Sequence, residues 1–305
     1  MTNIFYIGSS GNAYKLRVDR MLRIHEANFH EYEWKYETSE LQFGANIDRF
    51  TKEVAVYEFE LVFTGSAGSR QVQIDALHAE FERDIVNKTP GRIVWGDCYI
   101  DGYAVGSSTS PFDGVHVWTR NTIKFMCPYP FWLQEKSYSF TPISQEVRET
   151  DKQYTTNHYG YPYSYVLGGG DIVIDLDYYA GCDFKLTAFG AFSELYITMG
   201  GNVYNVNYPV DSESYMVVDS RQNGNMKGQA YVMTGGSKVN VFDYRNPYHS
   251  LYAKIPAGIT TIQYPRTYGI DLTLFMERSE PVVGDASNNY AALLERDGDI
   301  LTVLR

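Results

Sequence analysis

Residues 91–135 read GRIVWGDCYIDGYAVGSSTSPFDGVHVWTRNTIKFMCPYPFWLQE. Three runs of strand chemistry, RIVWG, CYIDGYAVG and VHVWTRNTIKFMC, are separated by clusters of Gly, Ser, Pro and Asp. β-branched and aromatic side chains suit a pleated, half-buried surface, and short strands joined by turn residues imply an antiparallel arrangement. The run Cys127-Pro128-Tyr129-Pro130 ends the last of them, because proline has no amide to give to a central ladder. A domain boundary is therefore placed near Glu135, in what is expected to be an exposed linker.

Upstream the period changes. Ile74, Leu77, Phe81 and Ile85 recur every three or four residues while Asp75, Glu80, Glu82 and Arg83 fall elsewhere, which is one apolar stripe on a helix. The spacing predicts a helix over about Val72 to Asn87, with Ser69 as N-cap and Asn87-Lys88-Thr89-Pro90-Gly91 as its stop. It is the only long helix that the pattern supports. Further upstream, Phe29 to Thr38 sets Tyr32, Trp34 and Tyr36 against Glu31, Glu33, Lys35 and Glu37, a period of two that reads as a half-buried strand. Val54 to Thr64 reads as a second, with Tyr57, Phe59, Leu61 and Phe63 on one face and Glu58 and Glu60 on the other.

Downstream come DIVIDLD, ELYITMG, NVYNV, SYMVVDS, QAYVM, KVNVFDY, TTIQY, GIDLTLFME and DILTVLR, with glycine-rich or polar turns between them. Many short strands at regular spacing predict a galectin-like or jelly-roll β-sandwich. The expected chain is mainly β: an N-terminal β-sandwich-like domain with one α-helix over residues 1–135, then a C-terminal sandwich over residues 136–305. Ser144 to Gly170 is a tyrosine-rich excursion between them.

Composition narrows the function. The 27 Tyr and 16 Phe raise the aromatic share to 15%, and such side chains favour sheets and protein interfaces. A formal charge of −11 disfavours a direct grip on DNA, since unselective binding rests on Lys and Arg displacing counterions. A pore lined with acidic groups would instead let DNA slide past. The start MTNIFYIGSS has no basic region followed by an apolar one, and no stretch reaches the ~20 apolar residues of a membrane span, so a soluble chain made in the cytoplasm is expected. Cys98, Cys127 and Cys182 lack CxxC spacing and read as reduced, buried thiols.

No catalytic, cofactor-binding or metal-ligating residue is assigned, and no enzyme activity or cofactor is expected. Asp171, Asp175 and Asp177 share one strand face and could gather around a hard cation, but a solvated sheet face is the plainer reading. Gly168-Gly169-Gly170 lacks the Lys-Ser/Thr pair of a phosphate cradle. His25, His30, His78, His116, His158 and His249 are scattered without ligand spacing, and no Gly-x-Ser-x-Gly elbow occurs. Glu58 and Glu60 would suit glycoside hydrolysis only at a separation that sequence does not reveal. The aromatic cluster from Tyr154 to Tyr165 suits either a protein contact or stacking on sugar faces.

Residues 91–135, with the terminal signature Cys127, Pro128, Tyr129, Pro130, Phe131 and Trp132 and the helix before it, resemble the end of the N-terminal domain of siphophage distal tail (Dit) proteins. Val218-Asp219-Ser220 and the turn Ile255-Pro256-Ala257-Gly258-Ile259-Thr260-Thr261-Ile262 resemble steps in that family's C-terminal sandwich. The resemblance implies a structural protein of the virion tail: a homohexameric ring under the tail tube, touching the tube protein on one face and the tail-associated hub or fibre protein on the other. It implies an inter-subunit arm within Met21 to Asp48, a channel that passes DNA without specific binding, and a first domain that builds the ring while the second sits outside. The alternative is a lectin-like tail protein in weak contact with host glycans.

Overall fold

The computed structural model describes residues 3–16, 22–109, 118–142, 171–222 and 227–282. The chain divides into two compact units, residues 1–134 with 277–305 and residues 135–276. In chain order the first contains β1 (Ile4–Ile7), β2 (Ala13–Lys15), β3 (Leu22–Ala27), β4 (Lys35–Glu40), β5 (Ala45–Thr51), β6 (Ala55–Thr64), α1 (Ala67–Asn87), β7 (Gly91–Trp95), β8 (Cys98–Thr109), β9 (Trp118–Cys127) and the start of β10 (Trp132–Phe140).

β6 carries the first core. It pairs with β3 on one edge and β9 on the other, and its inward Tyr57, Phe59, Leu61 and Phe63 are buried as the alternation predicts. The outward Glu58 and Glu60 meet Lys124 at 3.0 Å and Arg120 at 3.2 Å on β9, so this acidic pair forms cross-strand ion pairs. β8 belongs to two sheets. Cys98–Gly102 ladders onto β7, Tyr103–Thr109 onto β9, and a bulge falls between Ala104 and Gly106. At the crossing, a Cβ on Gly102 would strike the Met126 carbonyl and the Phe125 ring, so only glycine lets the backbones approach.

The helix ends at Asn87 as read but differs from its sequence reading at two points, its start and its buried face. It starts at Ala67, with Ser66 rather than Ser69 as N-cap, the Ser66 hydroxyl accepting from the Ser69 amide. Its C-cap is Lys88 in the left-handed region, φ 53°. Leu77 and Phe81 are buried as expected, but Ile85 is 45% exposed while Glu80 and Asp84 are buried. The polar pair takes the inward positions because it has partners. Tyr6 donates to the Asp84 carboxylate, and the Ser9 amide donates to it at 2.7 Å. Ser10 donates to Glu80, as do Asn12 at 3.0 Å and Arg83 at 2.8 Å. Two helix carboxylates thus hold the β1–β2 turn, and a Cβ on Gly91 would run into the Tyr6 hydroxyl and Asp84.

The second unit is a two-sheet sandwich. Its strands are β11 (Ile172–Leu176), β12 (Asp183–Phe189), β13 (Leu195–Met199), β14 (Asn202–Val206), β15 (Tyr215–Asp219), β16 (Gln229–Thr234), β17 (Ser237–Asn240), β18 (Gly258–Gln263) and β19 (Gly269–Arg278), with a 3-10 turn at Phe242–Tyr244. One sheet runs β17-β16-β15-β12-β19, the other β11-β18-β13-β14. Phe184, Leu186, Ile197, Met199, Tyr204, Leu272 and Leu274 fill the core. β12, central to its sheet, is absent from the sequence reading. The resembling steps have local roles here: Ser220 accepts from the Phe184 amide at 2.8 Å and donates to Asp183 at 3.0 Å. Ile255 bridges Cys182 through paired backbone bonds, and Gly258 turns at φ 80°.

No exposed linker lies at Glu135. β10 runs unbroken from Trp132 to Phe140, and the segment from Glu277 returns to the first unit, where Tyr129 donates to Glu277 and Arg278 to Gln134 at 3.1 Å. A cut at 135 therefore falls within a strand and removes this returning segment. The reading DILTVLR lies outside the described residues.

Two outcomes test this packing. Phe81→Ala removes a ring packed 4.9 Å from Tyr6 and is expected to cost about 3 to 5 kcal/mol, against under about 0.5 kcal/mol for exposed Glu82→Ala; equal urea midpoints would contradict the helix orientation. Burial alone would raise the Glu80 carboxyl, but the bonds from Ser10 and Asn12 and the Arg83 charge outweigh it and hold it below its ordinary value of 4.5. A depressed carboxyl stabilises the fold above that value, and its contribution is lost as pH falls through the folded pKa. Acid denaturation of Glu80→Gln should therefore be shallower below pH 4.5 than that of the parent chain.

Candidate interaction surface

β4 and β5 form a two-stranded ribbon by themselves, and every residue of both strands is exposed. The register sorts its side chains. Tyr36 lies opposite Phe50, and after a shift at Glu37/Thr38, Thr38 lies opposite Ile47, so Tyr36, Phe50 and Ile47 share one face. The other face holds Glu37 and Arg49, paired at 2.6 Å, and Ser39 donating to Asp48 at 3.1 Å. The tip adds Leu41 and Phe43, the latter 87% exposed, and closes through Leu41 donating to the Gly44 carbonyl at 3.1 Å. The polar face is satisfied within the ribbon. The apolar face has nothing over it among the described residues.

This corrects the half-buried strand expected over Phe29–Thr38. Phe29 is fully buried, but the strand begins only at Lys35, and Tyr32, Trp34 and Tyr36 are all exposed. The alternation is present, but among the described residues no second layer meets it. Two-stranded ribbons are marginal in water, and contiguous exposed apolar patches mark interaction sites. Here the ribbon is tied at its root, where Lys35 meets Glu53 at 2.7 Å and Trp34 lies 5.8 Å from Phe131.

The remaining candidates resolve more plainly. Asp171, Asp175 and Asp177 are exposed on the outer side of β11 and its flanks, with Asp171 accepting from Gln263 at 2.8 Å. Among the described residues no group of three or more His, Cys, Asp or Glu is placed to hold a metal ion. The three cysteines are buried thiols outside any disulfide, and burial raises the Cys127 thiol. His78 lies 2.6 Å from the Asn121 amide and burial lowers its pKa; His30 lies 3.4 Å from Glu280, and His25 and His249 are exposed. His116, His158, the glycine triplet and the Tyr154–Tyr165 cluster lie outside the described residues.

A cleft in the second unit is lined by Lys227, Gln229, Tyr231, Lys238, Phe242 and Tyr252. Its rings already make contacts: Lys238 sits 3.9 Å over Tyr231, Arg245 sits 3.9 Å over Phe242, and Tyr252 lies nearly parallel to Phe242 at 5.6 Å.

No protein-family model and no curated protein matches this sequence. Solved structures do. The crystal structure of SPP1 Dit, described as a paradigm of the hub adsorption apparatus in phages infecting Gram-positive bacteria, is similar over 90% of this chain and 98% of that one, with TM-score 0.56 and 10% identity. A chain of the phage P2 baseplate in its activated conformation with Ca is similar over 92% and 100%, with TM-score 0.60 and 12% identity, and the same baseplate with Sr gives TM-score 0.59. Both likenesses span nearly the whole chain, so the resemblance carried by the Cys127–Trp132 signature holds at the level of the fold: this chain folds as phage Dit and baseplate proteins do.

Proposed function

We propose that the chain is a structural, non-enzymatic distal tail protein of a tailed phage. In this reading the first unit closes into a six-membered ring that joins the tail tube to the tail-tip hub and leaves a channel for DNA, and the second unit sits outside the ring. The observation that carries it is the ribbon, whose apolar face of Tyr36, Ile47 and Phe50 is uncovered among the described residues while its polar face is paired. A repeated head-to-tail interface is what a ring requires, and a protruding ribbon that lays its apolar face on the next copy provides one. The fold shared with SPP1 Dit and the P2 baseplate supports the tail assignment. The net charge of −11 suits a channel that does not hold DNA.

The test is mass by light scattering across a concentration series. The parent chain should reach a closed oligomer of six. Phe43→Ser with Phe50→Ser should leave the melting temperature unchanged, since neither ring belongs to a core. Each lost ring should cost about 2 kcal/mol at the interface, so that assembly weakens roughly a thousandfold. A double variant that assembles at the parent's concentration would overturn the ribbon's role, and a parent chain that stays a monomer throughout would overturn the ring.

A further inference from the structure

Lys52 stands between the end of β5 at Thr51 and the start of β6 at Ala55, on the leg by which the chain leaves the ribbon. Its Nζ donates to the Pro130 carbonyl at 2.8 Å. It lies 4.5 Å from the centroid of Phe131, 5.4 Å from Tyr32 and 5.5 Å from Trp34. Tyr32 and Trp34 precede β4, on the leg by which the chain enters. One ammonium therefore gathers both legs of the ribbon onto a single corner of the body.

That corner is itself fixed. Trp132 is fully buried against Phe29 at 5.7 Å, and its neighbour Phe131 packs on Trp34 and on Tyr129 at 5.2 Å. Consecutive residues of extended chain point to opposite sides, which places one ring in the core and the next against the ribbon's root. The carboxylates of Glu31, Glu33 and Glu53 line a cleft together with Lys52, and Glu53 is engaged by Lys35. Among the described residues no ion pair to Lys52 is formed, so its charge is held by ring faces and one carbonyl. Partial burial lowers its pKa, and a cation removed from water gains more from aromatic faces.

We propose that Lys52 is the positioning residue of the ribbon: it sets the direction in which the ribbon leaves the body before any second copy is met. The proposal rests on the reading of the ribbon as an assembly arm, because an arm held in its bound direction loses less freedom on docking. Arginine keeps a cation and a donor at this place. Methionine keeps the apolar stem and loses both.

The experiment places spin labels on Gln42→Cys at the ribbon tip and Glu82→Cys on the helix, the native cysteines being buried, and measures the distance distribution at a dilution where the chain is monomeric. The parent and Lys52→Arg should give one narrow distribution. Lys52→Met should broaden it at least about twofold, with an unchanged melting temperature, and raise the concentration for half-assembly about tenfold. Phe131→Leu, which removes the ring face from the other side of the contact, should broaden it similarly. A Lys52→Met distribution as narrow as the parent's overturns the proposal. A broadened distribution with unchanged assembly upholds the place of Lys52 at the root and overturns instead the reading of the ribbon as an assembly arm.

Discussion

A ribbon of two strands has one row of paired backbone and two faces, and neither face shelters the other. When one face carries Tyr36, Ile47 and Phe50, with Leu41 and Phe43 at the tip, water is a poor environment for it, and a partner that covers it gains the free energy of that burial. The functional account of this chain depends on that constraint. Strand β6 and the sheets around it complete their own core, with Phe59, Leu61 and Phe63 buried, so the ribbon does not contribute to closing the body. It projects apolar surface that the body does not need.

The body supplies rigidity at the places the ribbon requires. Trp132, Phe29 and Tyr57 pack ring to ring, which anchors the strand from which Phe131 reaches the ribbon's root. At another place in the first unit, Glu80 and Asp84 hold the β1–β2 turn through side-chain and amide donors. A buried carboxylate is tolerable only with such partners, and once partnered it fixes geometry more tightly than an apolar contact of similar size. The glycines at 91 and 102 stand where backbones come too close for a Cβ.

Much of the fold was legible in the sequence because most segments obey one period. Val54–Thr64 alternates and is a half-buried strand; Leu77 and Phe81 mark the inward side of the helix. Where sequence and structure differ, the reasons are local to each case. Spacing places Ile85 inside, whereas the inward positions go to Glu80 and Asp84, whose hydrogen-bond partners on the β1–β2 turn lie more than sixty residues away in sequence. In β12, Phe184, Leu186 and Ala188 alternate with Lys185 and Thr187, a period of two as short as that of its neighbours. Tyr32, Trp34 and Tyr36 do alternate, but period alone does not say whether the second layer belongs to the same chain. The linker at Glu135 was inferred from Pro128 and Pro130, which end β9, while β10 begins two residues after the second proline.

Cryo-electron microscopy of the assembled full-length protein tests the central claim most directly. The account predicts particles with six-fold symmetry in which each ribbon lies on the first unit of its neighbour, with Tyr36, Ile47 and Phe50 covered. Rings whose contacts avoid the ribbon, or particles that remain single with the ribbon in solvent at every concentration, would contradict it.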